Sequence, residues 1–384
     1  MPSQTRAIAL TAPQRFEPVQ VEVRDPGPTD LVLRPAAVGV CGTDFHIATG
    51  EANYNLDASG EPIPLEIQPQ ILGHEIVAEV LEAGAEVSDL ARGDRIVLDQ
   101  GLNCLSLSPD EICEYCATGF SHQCENYIEY GITGLAGGFS EQLVAPAVNS
   151  IVIRSDASSA ECAMTEPLAC ILHMASLLEA ANQRYRIHAP EERDRVRTAL
   201  ITGAGPAGLL MVQVLRKVVG FDGLLLLSEP DPRKRALAER FGATVHDPAD
   251  SPLHPFVEDA TGGRMLELAL DASGSGRAFV QVPALLRKQA TVVKYGIGFH
   301  GEGLERLNEF QWKEPTFIMP VGASSPFDAD GRATRYRAAL RAIEEGTVDV
   351  ASIVSHRYDG LDSVPQAFGG DQHQPGYVKG IVVS

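Results

Sequence analysis

Thr198-Ala-Leu-Ile-Thr-Gly203-Ala-Gly-Pro-Ala-Gly208-Leu-Leu-Met-Val-Gln-Val-Leu215 runs from an apolar strand through a glycine-rich turn into an apolar helix. Gly203, Gly205 and Gly208 fall at the spacing G-x-G-x-x-G, with Pro206 and Ala207 between them. Alone that motif is weak; between a strand and a helix it is a dinucleotide fingerprint. The first glycine permits the tight turn, and the second lets the backbone approach a pyrophosphate. The third lets helix and strand pack closely, while the helix N-terminus offers unpaired N–H groups to the phosphates. A second strand, Leu224–Leu227, ends near Glu229, placed to accept hydrogen bonds from an adenosine ribose diol. That favours NAD. Arg233 and Lys234, in the first turns of the next helix, leave NADP open, because a nearby arginine can bind a 2′-phosphate.

Working outward, strand and helix keep alternating through Arg233–Phe241, Glu267–Asp271, Ala278–Leu286 and Thr291–Tyr295. This pattern predicts a parallel, doubly wound sheet. Residues 5–100 differ: Arg6–Leu10, Leu31–Arg34, Ile76–Val80 and Arg95–Leu98 read as short strands separated by Pro and Gly, which predicts a barrel-like β domain. After Val321 come a helix at Ala333–Glu345 and a β tail at Val378–Val383. The expected class is therefore α/β, with a β-rich domain beside a Rossmann domain.

The chain has 384 residues, a net charge of −20 and a hydrophobic fraction of 44%, ordinary for a globular protein of two domains. So acidic a surface argues against nucleic acid and anionic membrane as partners. No apolar run is long enough to span a bilayer, and the N-terminus lacks the pattern of a signal peptide. Seven cysteines, most in metal-like settings, predict a reducing cytoplasm rather than a disulfide framework.

Three separated segments carry metal-ligand types: Cys41-Gly-Thr-Asp-Phe-His46, Gly73-His-Glu75 and Glu166-Pro-Leu-Ala-Cys170. A thiolate, an imidazole and one or two carboxylates suit Zn²⁺. With one position left open, such an ion activates a water or an alcohol. Zinc beside a nicotinamide cofactor points to alcohol oxidation.

Together with Gly93-Asp-Arg95, a cysteine cluster and the tail Tyr377-Val-Lys-Gly380, these motifs resemble the zinc-containing medium-chain dehydrogenases over nearly the whole chain. Glu166-Pro167 is similar to the polyol and sugar branch. The resemblance implies a GroES-like catalytic domain from residues 1–170 and 323–384, carrying a zinc lobe at about 101–126, around a Rossmann domain at 171–322. It implies that Cys41, His74, and Glu75 or Glu166 hold a catalytic zinc, one carboxylate directly and the other through water. Thr43 and His46 resemble the family's hydroxyl–imidazole proton relay, and Asp44 is expected to fix the loop geometry. Cys162 and Cys170 are expected to be buried small hydrophobes.

Cys104, Cys113, Cys116 and Cys124 resemble the family's structural zinc site. Eight residues separate Cys104 from Cys113 where the family usually has two, so either Leu105–Ile112 is an insertion or Asp110 replaces the first thiolate. By resemblance the substrate is a small hydroxylated molecule, a polyol, sugar or cyclitol, and the enzyme a homodimer or homotetramer. Tyr54, Asn55 and Asp57, in the polar stretch Glu51–Gln70, are candidates for binding its hydroxyls. The alternatives are a dehydrogenase of an amino alcohol or a threonine-like hydroxy amino acid, and a zinc-free, non-catalytic relative.

Overall fold

In the computed structural model, which describes residues 3–108, 110–297 and 304–384, the fingerprint strand Thr198–Thr202 lies inside a six-stranded parallel sheet. The strand order is Thr244–His246, Leu224–Ser228, Thr198–Thr202, Leu266–Asp271, Leu286–Lys294, Thr316–Ile318. The chain thus builds outward on one side of the fingerprint strand and then returns to its other side, the doubly wound order that puts a switch point at that strand. Thr198–Thr202 and Leu266–Asp271 are buried at every position, as expected of parallel strands covered on both faces. The predicted doubly wound sheet is observed.

Two compact units divide the chain. One comprises Met1–Ala169, Ala323–Gly346 and Val354–Ser384; the other comprises Cys170–Gly322 and Thr347–Ile353. The first is built on a seven-stranded sheet. Its main path runs Val354–Asp359, Lys379–Val383, Asp30–Val40, Glu75–Ala83, Arg95–Leu98, Ser150–Val152, with Leu143–Pro146 also paired to Asp30–Val40. Leu31, Leu33, Ile76, Ile96, Leu98 and Phe139 form its solvent-free core.

Register decides what this sheet does. Lys379–Val383 runs antiparallel to Asp30–Val40 with Gly380 opposite Val40. On the other side Glu75 lies opposite Gly39. Cys41, which directly follows the middle strand, Glu75, which begins its neighbour, and Lys379, which begins the late strand, are therefore brought to one corner. Beyond Arg95–Leu98, the two-residue strands Gly101–Leu102 and Ile128–Glu129 pair antiparallel and clasp the base of a cysteine-bearing lobe. Among the described residues no helix is long and apolar enough to cross a membrane.

Leu200 is fully buried in the fingerprint strand. Leu200→Ala should lower the stability of its unit by about 2–5 kcal/mol, the usual cost of a buried leucine cavity. A shift in the urea unfolding midpoint checks this.

Candidate functional site

Cys41, His74 and Glu75 each point one ligand atom into a common point, all of those atoms lying within 4.8 Å of one another. Cys41 is the N-cap of the short helix Gly42–Thr49. Asp44, in that helix's first turn and fully buried, accepts the Cys41 N–H at 2.8 Å and the Gly73 N–H at 3.2 Å. It also faces His74 Nδ1 at 3.4 Å, so one carboxylate ties the two ligand-bearing segments together. Burial alone would lower the His74 pKa; Asp44 overrides this and raises it well above the usual imidazole value.

Glu75 has no exposed surface. Its Oε1 takes a hydrogen bond from Lys379 Nζ at 2.5 Å, while Oε2 has no hydrogen-bond partner. A buried carboxylate oxygen without a donor is costly unless a cation satisfies it. Space for that oxygen comes from Gly39: a Cβ there would stand 1.7 Å from Glu75 Oε2. Lys379 is itself buried, which lowers an ammonium pKa, but Glu75 more than compensates and the pKa is raised. The donor set, its depth and its orphaned oxygen fit a zinc ion.

Glu166 lies outside this group of three. It sits in the first turn of helix Thr165–Ala180, is 6% exposed, and its Oε1 accepts the Gln100 side-chain amide at 3.3 Å. Thr43 Oγ1 stands 3.9 Å from Cys41 Sγ. His46, one turn further along, pairs through Nδ1 with Glu51 Oε2 at 2.7 Å and keeps 29% of its side chain exposed. Asn55 is buried and Asp57 closes a local turn with Ser59 and Glu61, whereas Tyr54 is exposed. Cys162 and Cys170 are both buried. Sequence reasoning missed Lys379, Gly39 and Gln100. Only strand register could have placed the first two beside Glu75, and nothing local marks the third.

In the lobe, Cys104, Cys113, Cys116 and Cys124 bring their sulfurs within 4.8 Å of one another, and all are free thiols. The structure thus gathers Cys104 rather than the exposed Asp110. Cys104 Sγ and Cys124 Sγ are 3.6 Å apart, and backbone N–H groups of Cys113 and Asn126 point at sulfurs from 3.4 Å. The Cys116 backbone N–H, chief among several donors, pulls the Cys113 thiol down to about 6, while burial raises Cys116 and Cys124. Four converging sulfurs with N–H donors fit a closed tetrahedral zinc. His122 anchors the lobe: its Nδ1 accepts the Ala323 N–H at 3.0 Å, and its Nε2 faces Asp99 at 3.5 Å.

At the fingerprint, Gly203 adopts φ +92° and Gly205 caps helix Pro206–Gln213, with Pro206 at its first turn. A Cβ on Gly208 would strike the Gly203 carbonyl oxygen at 2.0 Å. Ala207 continues that first turn. Glu229, 7% exposed, accepts the Ala204 N–H through Oε2 at 2.7 Å and the Asp231 N–H through Oε1 at 2.9 Å. It therefore braces the glycine turn as well as standing at the end of its strand. Arg233 is exposed. Arg235, unforeseen, clamps this strand end through the Glu229 and Pro230 carbonyls and pairs with Asp247 at 2.5 Å.

The alcohol dehydrogenase GroES-like domain matches residues 27–155. The L-threonine 3-dehydrogenase of Thermococcus kodakarensis is 29% identical over 96% of this chain and 95% of its own length. The L-galactonate-5-dehydrogenase of Escherichia coli K12 is 28% identical over 88% and 87%. A solved structure described as a zinc-binding dehydrogenase of Sinorhizobium meliloti 1021, bound to NADP, is 27% identical with a TM-score of 0.76 over the full length of both chains. The chain carries an alcohol dehydrogenase GroES-like domain and, over nearly its whole length, is similar to zinc-binding and polyol-type dehydrogenases of the medium-chain kind. It is an oxidoreductase of the alcohol-dehydrogenase type.

Gly39→Ala should expel the Glu75 carboxylate, so that metal is lost from the Cys41 group while the cysteine lobe keeps its own; metal analysis with separate chelator titrations checks this. In protein stripped of metal, iodoacetamide labelling of Cys113 should rise as pH climbs through about 6 and precede that of Cys116. Mass spectrometry of the alkylated peptides checks the order.

Proposed function

We propose that the chain is a zinc-dependent dehydrogenase that moves a hydride from a secondary or hemiacetal hydroxyl of a polyol, sugar or cyclitol to NAD. The observation that carries this reading is the buried Cys41–His74–Glu75 group with its unsatisfied Glu75 oxygen. When bound, zinc supplies the charge that acidifies a hydroxyl, and the nicotinamide accepts the hydride.

Cys41, His74 and Glu75 are the residues to hold the ion. Two anionic ligands would cancel a dication, so the Lys379 ammonium against Glu75 has a clear use: it draws charge off that carboxylate and leaves the site electrophilic. Asp44 orients His74 in the manner of carboxylate partners behind metal-bound imidazoles. Glu166 would be the second carboxylate, accepting a hydrogen bond from the substrate hydroxyl or from a water. Thr43 receives the substrate proton and His46 passes it outward, imidazole being suited to transfer near neutral pH. Because Glu51 engages His46 Nδ1, Nε2 is the nitrogen for the relay.

Cys104, Cys113, Cys116 and Cys124 hold a second, structural zinc. Gly203, Gly205, Pro206, Ala207, Gly208 and Glu229 bind the dinucleotide, and the buried Glu229 supports NAD over NADP, with exposed Arg233 the counterargument. The edge strand Thr316–Ile318, with Trp312, Phe317, Met319 and Val321 exposed near it, supports a homo-oligomer. The threonine dehydrogenase relatives favour a second reading, oxidation of a threonine-like hydroxy amino acid.

A panel of polyols, sugars, cyclitols, L-threonine and amino alcohols, assayed with NAD and with NADP on protein of known zinc content, tests these readings. Expected are NADH production from a polyhydroxylated compound and loss of turnover on removing zinc. Preference for L-threonine would select the second reading, and full activity without zinc would reject both. His46→Ala should slow turnover about 10²–10⁴-fold, the usual contribution of a positioned acid–base group, and a neutral base added to the assay should restore part of it.

A further inference from the structure

We infer that Gln100 is a positioning residue for Glu166, with the Tyr336 hydroxyl holding the other end of its amide. The inference rests on the proposed role of Glu166 at the metal. Gln100 lies between the end of strand Arg95–Leu98 and the cysteine lobe and is 1% exposed. Its side-chain amide spans two partners. Oε1 accepts a hydrogen bond from the hydroxyl of Tyr336, a fully buried residue of helix Thr334–Glu344. Nε2 donates to Glu166 Oε1 at 3.3 Å.

A primary amide has one accepting and one donating end, and a carboxylate can only accept. The acceptor-only carboxylate therefore sets which way the amide faces, and the Tyr336 hydroxyl donates to the oxygen end that this leaves. Both groups are buried, so a flip would oppose two acceptors in a low-dielectric setting, where unpaired polar atoms are most costly. The amide carries no charge. It thus holds one carboxylate oxygen of Glu166 in place without itself neutralising the anion. A lysine or arginine in this place would instead cancel that charge, as Lys379 moderates Glu75.

This arrangement divides the labour between the two carboxylates of the centre. Glu75 is held by an ammonium and stands among the ligand atoms; Glu166 is held by a neutral donor and stands outside them. Gln100→Glu keeps the size of the side chain but replaces the donor by a second anion. Tyr336→Phe removes only the phenol hydroxyl.

The test uses the full-length protein with its cysteine lobe metallated. It measures zinc affinity at the Cys41 group by chelator competition, the absorption spectrum of the Co²⁺-substituted centre, turnover and thermal midpoint. The variants are Gln100→Glu, Gln100→Leu, Tyr336→Phe, Glu166→Gln and the exchange Gln100→Glu/Glu166→Gln. Gln100→Glu and Gln100→Leu should each weaken zinc binding or turnover about 10- to 100-fold, the usual effect of losing a partner behind a metal ligand, and shift the Co²⁺ bands. Tyr336→Phe should have a smaller effect of the same kind.

The exchange variant re-forms the amide–carboxylate hydrogen bond with its ends swapped, so it should recover the thermal midpoint but not zinc affinity or turnover. Full functional recovery in that variant would reduce Gln100 to a packing role and overturn the inference. So would unchanged zinc affinity, turnover and Co²⁺ bands in both Gln100 variants while Glu166→Gln is impaired; the proposed role of Glu166 would then stand alone. If Glu166→Gln is itself indistinguishable from wild type, that role falls, and the inference with it.

Discussion

The ion pair between Glu75 and Lys379 is the contact on which the unit built on the seven-stranded sheet depends. It joins side chains 304 positions apart in the chain, each with almost no exposed surface. Removing one partner of such a pair typically costs about 3–5 kcal/mol, because the other charge is left buried and unmatched. The pair exists only because Lys379–Val383 and Glu75–Ala83 flank the same strand, Asp30–Val40, in a fixed register. Slipping either strand by one residue would turn its side chains to the opposite face. The sheet and the charge pattern therefore specify each other.

Around that pair the site is assembled from backbone as much as from side chains. Asp44 accepts N–H groups from two segments and faces His74 Nδ1. Gly39 contributes by having no side chain, since any Cβ would occupy the position of the Glu75 oxygen. In the other unit Glu229 does comparable work by accepting the Ala204 N–H and thereby bracing the glycine turn. In both units an acidic side chain braces a loop by accepting its backbone N–H groups.

Much of this architecture could be read from residue order. The strand–glycine–helix run at Thr198–Leu215 predicts the doubly wound sheet, and the short Pro- and Gly-punctuated strands predict the β-rich unit. Both signals are local, because a strand's burial and a turn's conformation are written in neighbouring residues. The ligand types at Cys41, His74 and Glu75 were legible as chemistry, and the structure adds their convergence. Lys379, Gln100 and Tyr336 were not legible, since their meaning lies in pairings across strands and helices that no local pattern encodes. The ambiguity between Cys104 and Asp110 had the same origin: spacing counts residues along a loop, whereas helix Cys104–Leu107 determines which side chain turns inward.

The discontinuity of the unit built on the seven-stranded sheet also bears on how the protein is made. A ribosome releases Cys41, His74 and Glu75 long before it reaches Lys379. Until then the emerging polypeptide carries a thiol and a carboxylate with no ammonium to balance them. The Glu75–Lys379 pair can therefore form only after translation passes residue 379.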